Sequence, residues 1–155
     1  TLAYDRTSDK VYLQKAIAAY ESLRVKWPKN SSILNNLAYL LAQSGERLAE
    51  ALEYAKAAVE SDPNEAGYLD TYAYVLHKNG RPAEAAQTLA AAIQRYEVRG
   101  AVPAEAYEHL GMVNEALGER SKARDAYRRA LETGGAAMPE AVQGRISAAI
   151  ERLTK

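Results

Sequence analysis

Apolar residues recur at every third or fourth position along most of the chain. Between Lys10 and Trp27 this spacing is kept by Leu13, Ile17 and Tyr20, and it continues in later segments. A step of three to four residues places side chains on one face of an α-helix. The pattern therefore predicts a chain of amphipathic helices.

Proline and glycine interrupt the pattern at intervals. Pro28, Pro63 and Asn79-Gly80 fall between periodic segments, and Gly45 supplies a helix stop because glycine adopts the left-handed conformation at little steric cost. We expect residues 1–6 to be the end of one helix and Thr7-Ser8-Asp9 to form a polar turn. The further helices are predicted over residues 10–27, 33–45, 48–61, 66–79, 82–99, 103–117, 120–133 and 139–153.

The segment from Ile33 to Pro63 repeats before and after itself. Its Leu37-Ala38-Tyr39 corresponds to Leu2-Ala3-Tyr4, 35 residues earlier, and to Tyr72-Ala73-Tyr74, 35 residues later. Repetition at a fixed period of 20–50 residues is typical of solenoids and arrays. The sequence predicts an all-α solenoid of antiparallel helix pairs in one domain. Its units are a partial repeat at 1–29, repeats at 30–64, 65–102 (with an extended second helix) and 103–135, and a capping helix at 136–155.

Small residues recur in phase with this period. They lie late in the first helix of each pair and at the start of the second helix, at Ala3, Ala38, Ala73 and Gly111 and at Ala16, Ala51, Ala85 and Ala123. In this the chain resembles the tetratricopeptide repeat, over about three and a half units from Thr1 to Thr133. The resemblance implies a right-handed superhelix. Because the chain lacks an initiator methionine and opens within a helical pattern, we expect it to be part of a longer protein.

The resemblance also implies a binding surface. In this family the first helix of each pair lines a concave groove that holds a peptide or helix of a partner protein. When the groove positions of the family are transferred to the matching positions of this sequence, they are occupied by Asn35, Asn36, Tyr39, Gln43, Asp70, Thr71, Tyr74, His77, Lys78, Glu108, His109, Met112 and Glu115.

Tyrosines recur in this groove at a spacing of 35 residues, at Tyr4, Tyr39 and Tyr74. We expect them to form a ladder along the groove. Tyrosine combines a large rigid contact area with a hydroxyl group, so the ladder suits recognition and packing between first helices equally well. The sequence leaves these two interpretations open.

Composition narrows the function further. Twenty basic residues balance twenty acidic ones, and the chain has no cysteine. We therefore expect no nucleic-acid partner, no thiolate metal site and no cysteine nucleophile. No apolar run approaches the roughly 18 residues that span a bilayer, so we expect a soluble domain without membrane insertion. No phosphate loop, nucleophile elbow or carboxylate pair is present, and we expect neither catalysis nor a cofactor.

Three specific alternatives remain weaker. A period near 35 also characterises RNA-binding pentatricopeptide repeats. Here, however, the residue by which the unit exceeds the tetratricopeptide length of about 34 lies in a turn, and the predicted inner face is not basic. Some tetratricopeptide domains clamp chaperone tails with lysine and arginine, and here those places hold Asn35, Asp70, Glu108 and His109. His77 and His109 are the only histidines, too few for a zinc site without further ligands.

The sequence thus favours a non-catalytic scaffold that binds a peptide or helix of a partner. The main alternative is an assembly module that self-associates by stacking of repeat ends, through an apolar edge at Leu2, Tyr12 and Tyr20.

Overall fold

Eight α-helices follow one another in the part of the chain that the structure describes. The structure is a computed structural model in which residues 2–155 are described, with side chains from Asp9 onward. The helices are α1 (Leu2–Lys26), α2 (Ser31–Ser44), α3 (Leu48–Ser61), α4 (Ala66–Lys78), α5 (Pro82–Val98), α6 (Ala104–Ala116), α7 (Arg120–Gly134) and α8 (Glu140–Thr154). A short 3₁₀ turn at Gly135–Ala137 precedes α8.

Local sequence explains most helix ends. The Asn30 side chain accepts a 3.0 Å hydrogen bond from the backbone N–H of Ile33, which is an N-cap contact. Gly45 ends α2 in the left-handed region with φ +75°. Pro82 occupies the first turn of α5, where its missing N–H leaves no helical bond unmade. The predicted helices from α2 to α8 are confirmed to within about two residues at each end.

The prediction for the first residues is wrong. The polar turn expected at Thr7-Ser8-Asp9 does not form, and α1 runs without interruption from Leu2 to Lys26. Serine, threonine and aspartate favour helix caps, but helix interiors tolerate them. No glycine or proline accompanies them here, so nothing forces the helix to end.

Antiparallel pairs are the unit of packing. The most extensive contacts are those of α2 with α3, α4 with α5 and α6 with α7, while α1 packs on α2 and α8 packs on α7. Alanines allow this close approach, since Ala51, Ala55, Ala85 and Ala123 are fully buried. The pair α6–α7 is so close that a Cβ atom at Gly111 would lie 2.5 Å from a ring carbon of Tyr127.

The array curves toward the first helices. Among the described residues α2 contacts α4 and α4 contacts α6, whereas the second helices α3, α5 and α7 make no comparable contacts with one another. We call the side formed by α2, α4 and α6 the concave face. None of the described helices is both long enough and apolar enough to cross a bilayer.

Candidate functional site

The residues predicted for the groove lie on α2, α4 and α6, but they differ in exposure. Gln43 and Lys78 are exposed, and Asn35, Asn36, Tyr39, His77, Met112 and Glu115 are partly buried. The remaining five are buried, namely Asp70, Thr71, Tyr74, Glu108 and His109. The sequence placed all of them on the lining of one groove, whereas several form the packed layer beneath it. A partner's contact with any of them stays a prediction.

An aromatic stack occupies the middle of the concave face. The rings of Tyr39 and Tyr74 lie 5.1 Å apart between centroids, and the Tyr74 and His109 rings stack at 4.6 Å. Tyr74 is only 6% exposed, and its burial raises its pKa to about 12. The tyrosine ladder therefore serves packing at Tyr74, and His109 continues it. The side chain of Tyr4 lies outside the described residues.

His109 also belongs to a buried polar network. Its Nδ1 lies 2.7 Å from Oδ1 of Asp70, and the second oxygen of Asp70 accepts a 3.3 Å hydrogen bond from the hydroxyl of Tyr96. Because an ionised carboxylate only accepts, Nδ1 of His109 carries the proton. Burial alone would lower the pKa of His109, but the hydrogen bond and charge of Asp70 outweigh it, and the net shift is upward.

A second set of polar contacts joins α6 to α8. Glu108, which is 5% exposed, pairs with Arg145 at 2.7 Å, and Glu115 pairs with Arg152 at 2.5 Å. Glu115 also accepts a 3.1 Å hydrogen bond from the hydroxyl of Tyr127. Glu108 occupies the repeat position that Asp70 occupies in α4. At this position Asp70 therefore pairs with the imidazole of His109 on the next inner helix, and Glu108 pairs with the guanidinium of Arg145 on α8, which acts as that helix for α6.

A hydrogen bond divides the open part of the concave face. The hydroxyl of Tyr39 on α2 donates to Oε1 of Glu105 on α6 at 2.5 Å, although 66 residues separate them. Desolvation by burial, followed by the charge of Glu105, raises the pKa of Tyr39. One recess of about 240 Å³ lies on the side of Asn35 and Thr71. Another of about 540 Å³, the α6–α8 recess, lies beyond Glu105.

The α6–α8 recess combines charged and apolar walls. Its lining comprises Tyr39, Gln43, Ala104, Glu105, Glu108, Thr133, Gly134, Ala137, Met138, Pro139, Val142 and Arg145. Of these residues, the sequence analysis predicted Tyr39, Gln43 and Glu108 and missed the rest. A lone sequence offers little signal for Glu105 and Arg145, because they occupy exposed helix positions whose neighbours are set by packing.

The histidines do not converge. His109 is paired with Asp70, while His77 is partly buried and has no hydrogen-bond partner for its Nδ1 among the described residues. Burial, followed by the charge of Lys78, lowers the pKa of His77. Within residues 9–155 no three histidine, aspartate or glutamate side chains are grouped so that they could hold a metal ion.

Comparison with known proteins gives the family. The family model described as tetratricopeptide repeat matches residues 13–66 and 73–141. No curated protein matches the chain by sequence.

Solved structures agree in fold. A thermophilic tetratricopeptide repeat protein of Thermus thermophilus matches with a TM-score of 0.68 at 21% identity, over 94% of this chain and 77% of that one. The MamA protein matches with a TM-score of 0.60 at 24% identity, over 96% and 75%. The first domain of human RPAP3 matches with a TM-score of 0.62 at 18% identity, over 82% and 97%. At sequence identities of 18–24%, these similarities are evidence for a shared fold and for nothing more specific.

Proposed function

The chain belongs to the tetratricopeptide repeat family, and on that premise we propose that it is a non-catalytic scaffold that binds a peptide or helix of a partner protein on its concave face. The observation that carries the proposal is the α6–α8 recess. Its volume of about 540 Å³ falls within the usual range of ligand pockets, roughly 300–1,000 Å³. Apolar walls supply contact area, and a few polar groups give orientation.

The proposal places partner contacts on the exposed and partly buried members of the predicted set. Gln43 lines the recess, and Asn35 and Asn36 line the smaller recess on the other side of Tyr39. Asparagine side chains suit an extended peptide because each offers a donor and an acceptor to its backbone. Buried Tyr74 and His109 support this surface from below.

The test uses two double variants with the same added charge. Gln43→Arg/Ala137→Arg places two guanidinium groups at the α6–α8 recess, and Gln87→Arg/Ala90→Arg places two on exposed positions of α5. Peptides are first selected from a random library with the unaltered chain, and their Kd values are then measured for all three proteins. We expect the recess variant to lose at least about tenfold in affinity, roughly 1.4 kcal/mol, and the α5 variant to lose little.

Both variants must melt within a few degrees of the parent. Equal loss in the two variants would place binding elsewhere and overturn the proposal. Failure to select any peptide would count against it as well.

A second candidate, self-association, has its own observation. Tyr12 is 69% exposed on α1, beside Val11, which is 47% exposed. Tyr20, expected on the same edge, instead packs into the core around Leu37, and its hydroxyl accepts a hydrogen bond from Asn36. The side chain of Leu2 lies outside the described residues. If α1 mediates association, Tyr12→Glu will lower the mass measured by sedimentation at high concentration, and Lys56→Glu on α3 will not.

A further inference from the structure

The α6–α8 recess carries an uneven charge. Two carboxylates, Glu105 and Glu108, and one guanidinium, Arg145, line it. Glu108 is buried and its charge is compensated by Arg145 at 2.7 Å. Glu105 is exposed and makes no ion pair among the described residues; its hydrogen bond is with the neutral hydroxyl of Tyr39. The uncompensated negative charge therefore belongs to Glu105, an exposed residue of the lining.

The wall next to this charge is apolar. Ala104, at the start of α6, lines the recess together with Ala137, Met138, Pro139 and Val142, which lie between the end of α7 and the first turn of α8. A carboxylate beside an apolar wall is complementary to a lysine or arginine side chain, because the methylene stem packs on the wall while the cation reaches the acid. An acidic ligand would meet Glu105 directly, and a purely apolar one would leave its charge without a partner.

We propose that the α6–α8 recess binds a basic side chain of an extended partner peptide, with the cation paired to Glu105 and the stem packed on Met138 and Val142. This inference rests on the proposed function and specifies its partner as a segment with a basic residue flanked by apolar ones. Arginine fits better than lysine, since its planar fork can bond one carboxylate through two N–H groups.

The Tyr39 hydroxyl modulates this subsite. It donates to Oε1 of Glu105 and so takes up part of the accepting capacity of that carboxylate. Removing the hydroxyl leaves Glu105 available to the ligand and preserves the ring contact with Tyr74. Tyr39→Phe and Glu105→Gln should therefore change affinity for a basic peptide in opposite directions.

The test uses acetylated, amidated heptapeptide pools with leucine, valine or asparagine around a fixed central residue. The central residue is arginine, lysine, glutamate or citrulline, which has nearly the shape of arginine and no charge. We expect the unaltered chain to bind the arginine pool about tenfold more tightly than the citrulline pool. Glu105→Gln should abolish that preference, and Glu53→Gln, an exposed glutamate of α3, should retain it.

Further readouts separate this subsite from general attraction. Tyr39→Phe should bind the arginine pool a few-fold more tightly, and the methyl resonances of Met138 and Val142 should shift on binding. Equal affinity for arginine and citrulline, or a preference that survives Glu105→Gln, would overturn the inference. If the citrulline pool binds equally and the recess variant Gln43→Arg/Ala137→Arg abolishes that binding, the scaffold function stands and this inference fails. If no pool binds, this inference fails, and the selection from the random library decides the scaffold function separately.

Discussion

The middle of the concave face and its α6–α8 end are built from equivalent helices but are filled differently. In the middle, Tyr39, Tyr74 and His109 stack and Asp70 closes the layer beneath them. At the end, Glu108 is likewise buried, but its partner Arg145 is largely exposed and a recess of about 540 Å³ stays open. Repeat position alone therefore does not decide which part of the concave face is closed by packing and which part stays open.

The difference has a geometric origin. α4 begins 35 residues after α2, whereas α6 begins 38 residues after α4. The repeat equivalent of Tyr74 in α6 is thus Met112, yet the residue that stacks on Tyr74 is His109, one turn earlier. At the last unit α8 replaces a first helix, and the turn at Gly135–Ala137 before it forms one wall of the recess.

The largest loss of stability is expected when a buried carboxylate is removed from the middle of the concave face. Asp70→Ala leaves buried His109 and the hydroxyl of Tyr96 without their acceptor, so the free energy of unfolding should fall by about 3–5 kcal/mol. Glu108→Ala should cost less, about 1–3 kcal/mol, because its partner Arg145 can turn to water. Urea denaturation followed by circular dichroism measures both. Equal losses would contradict the distinction between the two halves.

Close packing under the α6–α8 end is tested by glycine substitutions. Gly111→Ala drives a methyl group into the buried ring of Tyr127, and we expect a loss of about 1–3 kcal/mol. Gly144→Ala, in α8, meets nothing within 4 Å and should stabilise by about 0.5–1 kcal/mol, since alanine restricts the unfolded chain. Melting temperatures compare the pair. A neutral Gly111→Ala would mean that α6 and α7 are less tightly packed.

The two histidines should respond to pH in opposite directions. The pKa of His109 is raised above the usual 6.5 or so, so its stabilisation is present below that value and is lost as pH rises through the folded-state pKa. The pKa of His77 is lowered, so its contribution is present above about 6.5 and is lost as pH falls. The test is the free energy of unfolding measured from pH 5 to 9. We expect His109→Gln to lose the fall in stability at rising pH, and His77→Gln to lose the fall at decreasing pH. A parent profile unchanged by His109→Gln would exclude the charged pair with Asp70.

The smallest expected effects concern the hydroxyl groups of the stack. The hydroxyl of Tyr74 makes no hydrogen bond within the described residues, so Tyr74→Phe should change stability by less than about 0.5 kcal/mol. Tyr39→Phe removes the hydrogen bond to Glu105, a contact near solvent, and should cost about 0.5–1 kcal/mol. Denaturant midpoints distinguish the two. A large loss in Tyr74→Phe would reveal a polar role for a ring that otherwise serves packing.

Much of the fold was predictable because its signals are local. Periodic apolar residues, the cap at Asn30, the stop at Gly45 and Pro82 at the start of α5 each act within a few residues. The failure at Thr7-Ser8-Asp9 has the same origin, since residues that favour a cap do not end a helix by themselves. The resemblance to the tetratricopeptide repeat could be recognised because small residues recur at the same positions of successive repeats.

By itself the sequence determined the helices from α2 to α8, since propensity, capping and periodicity are properties of neighbouring residues, and its 35-residue repeat predicted their pairing. The resemblance to the repeat family implied the concave face. Only the tertiary structure decided which members of that face are buried and which partners they find. Asp70 meets His109 and Glu108 meets Arg145 across different helices, at separations of 39 and 37 residues. Burial and ion pairing depend on the angles and spacings at which whole helices pack, and no local pattern encodes those.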